Sequence, residues 1–102
     1  MENFVEVAAL SQVPAGCGIV VSIAGMPVAL FNSNGRIFAV EDACVRCGAS
    51  LAAGTLHAVN VACSGCDWKY ELTTGCVNGI PALKIDTFQV EVVDARVRVA
   101  SP

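Results

Sequence analysis

At 102 residues the chain has room for one modest core and not for two. Apolar residues make up 55% of it and charged residues 15%, against about 25% in an ordinary globular domain, which excludes intrinsic disorder. A formal net charge of −3 at pH 7 argues against nucleic acid or an anionic membrane surface as the partner.

The charged residues avoid two long stretches, 7–35 and 47–66. The first is no membrane span, because Pro14, Gly16, Gly18, Gly25 and Pro27, together with Ser11, Gln12 and Ser22, break it well short of the roughly 20 apolar residues a spanning helix needs. Met1-Glu2-Asn3 places no basic segment ahead of an apolar one, so no secretory leader is read and a soluble, cytoplasmic protein is expected.

Short β-branched runs between Gly, Pro and Asn, without a helical apolar stripe, predict an all-β domain. Residues 5–7 form the first expected strand and 18–23 the second, turning at Gly25-Met26. Residues 27–31 and 36–40 flank Asn32-Ser33-Asn34-Gly35, whose Asn-Gly supplies the positive φ angles of a tight hairpin. Residues 69–72 read as a further strand, stopped by Thr73-Thr74-Gly75. Residues 88–92 alternate apolar and polar, turn at Asp94-Ala95 and resume over 96–99, which predicts a closing hairpin. No repeat, linker or low-complexity tract divides the chain, so the segment from Cys44 to Cys66 is an excursion of one domain.

Four of the six cysteines fall in that excursion as Cys44-Val45-Arg46-Cys47 and Cys63-Ser64-Gly65-Cys66. Two Cys-x-x-Cys loops at this separation can surround one ion with four thiolates, since a tight loop brings the sulfurs at i and i+3 to one side and turns its N–H groups inward. Gly48, after the first pair, and Gly65, inside the second, are read as residues that let the backbone turn without Cβ strain. The alternative is two local disulfides or four small buried thiols, which a reducing compartment disfavours. Four thiolates on a divalent ion carry a formal charge of about −2, and Arg46 and Lys69 are the candidate cations to offset it. Cys17 and Cys76 are read as inert packed thiols, His57 as a surface histidine, and Asp67 and Glu71 as the polar face of a half-buried strand whose Trp68 and Tyr70 support the site.

From Glu41 to Gly75 the chain resembles Rieske-type ferredoxins. The resemblance rests on Cys44, then Gly48-Ala49-Ser50-Leu51, Gly54-Thr55-Leu56, and Cys63-x-x-Cys66-x-Trp68-x-Tyr70-x-Leu72-x-Thr74-Gly75. It extends outward through Phe4-Val5-Glu6-Val7, the Asn-Gly hairpin, and Pro81-Ala82-Leu83 leading to Phe88-x-Val90-x-Val92. It implies a Rieske-like β-sandwich, one domain over 1–102, in which a basal β-domain (1–42 and 73–102) carries a small metal-binding subdomain (43–72). It also implies an electron carrier, not an enzyme acting alone, placed between a reductase and a terminal oxygenase. The ligand set departs from the family pattern, in which two cysteines hold one iron and two histidines the other. Cys44 and Cys63 match the cysteines, but Arg46 stands where the first histidine belongs and Cys66 where the second does, which excludes a two-histidine centre.

Three occupants suit four thiolates: one tetrahedral iron, one tetrahedral zinc, or a four-cysteine 2Fe-2S cluster. Iron makes the protein an electron carrier with a rubredoxin-like site. Zinc makes it a non-redox accessory subunit whose uncharged 47–66 segment is either a docking surface or a loop core packed on the metal. Cys44, Cys47, Cys63 and Cys66 are the expected ligands, with Arg46, Gly48, Gly65 and Trp68 around them.

Overall fold

The computed structural model describes residues 3–100. In chain order its elements are β1 (Phe4–Ala9), a helical turn (Leu10–Gln12), β2 (Gly18–Ile23), β3 (Met26–Ser33), β4 (Arg36–Glu41), a second helical turn (Leu51–Ala53), β5 (Thr55–His57), β6 (Asn60–Ala62), β7 (Lys69–Glu71), β8 (Cys76–Val77), β9 (Ile80–Lys84), β10 (Thr87–Phe88), β11 (Val90–Val93) and β12 (Arg96–Ala100). They form three antiparallel sheets, ordered β1-β12-β11, β10-β4-β3-β2 and β5-β6-β7-β8-β9. The all-β reading holds. Among the described residues no helix is long and apolar enough to cross a membrane.

The hairpin β3-β4 is the middle layer, and it explains the 26–33 part of the first uncharged stretch. Successive residues of a strand face opposite sides, so Val28 and Leu30 join Ile37 and Ala39 in a core shared with Ala8, Val13, Ile23, Val97 and Val99. Ala29 and Phe31 join Phe38 and Val40 in a second core with Leu51, Val61, Tyr70, Leu72, Val77 and Ile85. A strand buried on both faces has no polar side to show in its sequence. Asn32 is the buried exception: its Nδ2 donates to the Val13 carbonyl at 2.7 Å, and its Oδ1 accepts the Gly35 N–H at 2.7 Å to close the Asn34-Gly35 turn.

Three expectations shift. The turn after β2 is Ala24-Gly25, both at positive φ (53° and 80°), and Met26 already pairs with Ile23 as the first residue of β3. The run 88–92 is two strands, because Phe88 pairs with Ala39 of β4 while Val90 pairs with Val99 of β12, and the chain changes sheets at Gln89. The sheet that follows the first ligand loop continues past residue 72 through β8 and β9, so its strands extend to Lys84.

Candidate metal centre

The two cysteine loops are built on one backbone frame. In the first, Cys44 N–H donates to the Ala49 carbonyl (3.0 Å) and Gly48 N–H to the Cys44 carbonyl (2.9 Å). In the second, Cys63 N–H donates to the Trp68 carbonyl (2.7 Å) and Asp67 N–H to the Cys63 carbonyl (3.0 Å). The fifth residue of each frame is left-handed, Gly48 at φ 76° and Asp67 at φ 62°. This frame turns the third and fourth N–H groups of each loop onto its first sulfur: Arg46 and Cys47 onto Cys44, Gly65 and Cys66 onto Cys63.

The loops meet so that the four Sγ atoms all lie within 4.8 Å of one another, with Cys44 to Cys66 at 3.6 Å and Cys47 to Cys63 at 3.5 Å. The close pairs run between loops, and all six cysteines are free thiols, so the disulfide alternative is not what the chain forms. Tetrahedral bonds of about 2.3 Å to one ion put thiolate sulfurs about 3.8 Å apart. Two such tetrahedra sharing a sulfide edge, as in a two-iron cluster, separate the sulfurs on different irons by about 5.3 Å at the nearest and 6.5 Å at the furthest. The observed spread is nearer to the one-ion distance.

Depth and protonation divide the four sulfurs. Cys44 and Cys63 are buried, Cys66 is half-buried and Cys47 is exposed. Burial opposes ionisation of Cys44, but the Tyr70 hydroxyl donating to its sulfur (3.1 Å), the Cys47 and Arg46 N–H groups and the Cys66 thiol outweigh it and bring this thiol down to about 6. For Cys63 burial dominates and pushes the thiol up to about 12 in spite of the Gly65 and Cys66 N–H groups, with the Cys47 and Cys44 thiols adding to the rise. Cys66 accepts the Trp68 N–H, which favours its thiolate, yet burial and the neighbouring Cys44 sulfur leave it above its ordinary value.

Tyr70 is fully buried and bridges the first loop, accepting the Val45 N–H at 2.9 Å while donating to Cys44. Burial first, and then its bond to Cys44, hold the phenol well above its usual range, so it remains a donor. Reading it from sequence as a core support misses this contact, which only the packing of β7 under the first loop produces. Asp42 is a second residue the sequence did not signal. It is buried, and its carboxylate accepts the Ser50 hydroxyl (2.7 Å) and the Ala52 N–H (2.8 Å), tying the chain after the first loop back to its start.

The other expected residues divide. Gly48 turns the backbone as read, with open space where a Cβ would go. Gly65 is needed for a different reason than the one expected: its φ is not in the left-handed region, and a Cβ there would stand 2.9 Å from Cys47 Sγ and 3.2 Å from Ala49 Cβ, so the loops could close only with a shift of these neighbours. Arg46 is exposed and lies over the Trp68 ring, 5.1 Å from Cζ to the ring centroid. Lys69 is exposed on β7 and lines a recess with His57, Asn60, Ala62 and Asn78. Cys17 is exposed, not packed, because it leaves the sheet between two glycines at the start of β2, while Cys76 is half-buried. In the uncharged 47–66 segment, Leu51, Val61 and Cys63 are buried and Ala49, Ala52, Leu56 and Val59 pack on the same core, as a loop core would.

The model of the Rieske [2Fe-2S] domain matches residues 3–92. The ferredoxin component of the naphthalene 1,2-dioxygenase/salicylate 5-hydroxylase systems of Ralstonia sp. is 27% identical over 97 residues, covering 94% of this chain and 93% of that protein. The ferredoxin of carbazole 1,9a-dioxygenase from Nocardioides aromaticivorans superposes with a TM-score of 0.90 at 23% identity, over 98% of this chain and 99% of that one. A chain of the complex between reduced oxygenase and oxidised ferredoxin in carbazole 1,9a-dioxygenase superposes at 0.85 with 29% identity, covering 95% and 92%.

Proposed function

The chain belongs to the Rieske [2Fe-2S] domain family, and from that premise we propose that it is a small ferredoxin-type electron carrier holding one iron ion through Cys44, Cys47, Cys63 and Cys66 and delivering electrons to an oxygenase-type partner. The observation that carries the single-ion form is the mutual approach of the four sulfurs within 4.8 Å. The carrier role draws on the relatives, which are ferredoxin components of dioxygenase systems. The cluster implied by the family name could be held only in a four-cysteine form, because Arg46 and Cys66 stand at the histidine positions, and it would need the sulfurs to stand further apart than they do here.

Iron bound by four thiolates would supply one-electron chemistry between its ferric and ferrous states. The protein's part is to hold the ligands so that little moves when the charge changes. N–H groups point at Cys44, Cys63 and Cys66, and the Tyr70 hydroxyl at Cys44, so donors already face the sulfurs on which charge accumulates. Cys44 and Cys63 anchor the site in the core, while Cys47 reaches the surface and offers the shortest way out for an electron.

Metal and acid-labile sulfide analysis of the purified protein, followed by a redox titration, tests this reading. One iron per chain, no sulfide and a reversible one-electron reduction are expected. One zinc with no iron would establish the accessory subunit instead, and two irons with two sulfides would restore the cluster.

A further inference from the structure

We infer that Arg46 and Trp68 form a clamp that ties the two ligand loops together beside the metal site, with Arg46 a positioning residue whose cation also raises the potential of the centre. Only the redox part rests on the electron-carrier reading above. Arg46 projects from the middle of the first loop and lies on a ring that belongs to the second. Trp68 is well anchored: its carbonyl closes the Cys63 frame, its N–H bonds the Cys66 sulfur, and its indole packs against the core under the site. A guanidinium on this ring therefore joins the two loops away from the sulfurs, on the flank opposite Gly65 and Ala49.

The shared frame makes the pairing a consequence of geometry. The third residue of one loop faces the sixth of the other, and this happens twice. Gly65 faces Ala49, so tightly that a Cβ on the glycine would stand 3.2 Å from the alanine Cβ. Arg46 faces Trp68 with a large side chain from each loop. One flank is closed by close backbone approach and the other by a cation on an aromatic face. Arg36 makes the same kind of contact with Phe38, 4.7 Å to the centroid, but both residues lie on β4, so that pair joins nothing and serves as an internal control. Arg46 is also the only cation of either ligand loop, and a positive charge there favours the more negative, reduced form of a thiolate centre.

The test compares wild type, Arg46→Gln, Arg46→Lys, Trp68→Leu, the Arg46→Gln/Trp68→Leu double variant and Arg36→Gln, each loaded with zinc and exposed to excess chelator. Arg46→Gln should release metal about three-fold faster, the size expected of an exposed cation–π contact. Arg46→Lys should recover most of the difference, Arg36→Gln should match wild type, and Arg46→Gln should add nothing in the Trp68→Leu background. Unchanged release in Arg46→Gln, equal acceleration in both backgrounds, or equal acceleration in Arg36→Gln would overturn the clamp. With iron bound, the Arg46→Gln midpoint potential should fall and that of Arg46→Lys should stay near wild type; an unshifted Arg46→Gln potential would remove the redox part. A protein that accepts zinc and never iron would end the carrier reading while the release rates still decide the clamp.

Discussion

The loop from Cys44 to Ala49 and the loop from Cys63 to Trp68 close through equivalent backbone hydrogen bonds and turn at the same left-handed position, yet differ in what fills the frame. Arg46 corresponds to Gly65, Gly48 to Asp67 and Ala49 to Trp68, and the Tyr70 hydroxyl reaches Cys44 but not Cys63. The two buried sulfurs end far apart chemically, Cys44 down to about 6 and Cys63 up to about 12. The backbone frame decides where the sulfurs stand, and the side chains set into it decide how each one behaves.

The strongest way to break the equivalence is to remove a sulfur. Cys47→Ala and Cys66→Ala occupy matching places in the two loops, and both should abolish stoichiometric metal, since binding and ordering of the loops are one process. Metal analysis of the purified variants checks it, and full retention in Cys47→Ala would show that the exposed cysteine is not a ligand.

Acid should separate the loops next. Metal can bind only to thiolates, so affinity falls as pH falls, by about ten-fold per pH unit for each proton displaced. Cys63 carries a proton throughout the neutral range and contributes to the slope there, whereas Cys44, at about 6, contributes only below that pH. Log affinity against pH should therefore steepen by about one unit of slope below pH 6. Competition with a chelator of known affinity across pH 5 to 8 measures it.

Gly65→Ala places a methyl group 2.9 Å from Cys47 Sγ, which must shift to admit it. A cost of about 3 kcal/mol is expected, the upper range for overpacking, whereas changes at Arg46, the matching place in the first loop, act only through its side chain. Thermal unfolding of the metal-loaded variant reads the difference. Tyr70→Phe removes the donor found on one side only and orphans the Val45 N–H. It should cost about 2 kcal/mol and move the iron midpoint potential to more negative values. The smallest effect belongs to the left-handed pair: Asp67→Gly should stabilise by about 0.5 kcal/mol and Gly48→Asp should destabilise by a similar amount, visible as opposite shifts in denaturation midpoint.

Much of this was legible in the chain. Cys-x-x-Cys spacing places both pairs in tight loops, Asn34-Gly35 announces its own turn, and β-branched runs without helical periodicity leave an all-β domain as the reading. Less visible were features that depend on contact between distant segments. The change of sheets at Gln89 leaves the alternation of 88–92 intact, so periodicity could not reveal it. Asp42 looks like any surface acid until Ser50 and Ala52 fold back onto it. Asp67 holds the place of a glycine without being one, a tolerance that a short polar side chain allows and composition does not announce.

The sequence alone determined the ligand chemistry: four thiols, no histidine in either loop, and glycine or a short polar residue where the backbone must turn. Those properties are local, because i to i+3 spacing and φ preference act within a few residues. Tertiary structure decided how far apart the two pairs stand. That distance is set where Gly65 admits the Cys47 sulfur and where Tyr70, held in the core, reaches up to Cys44.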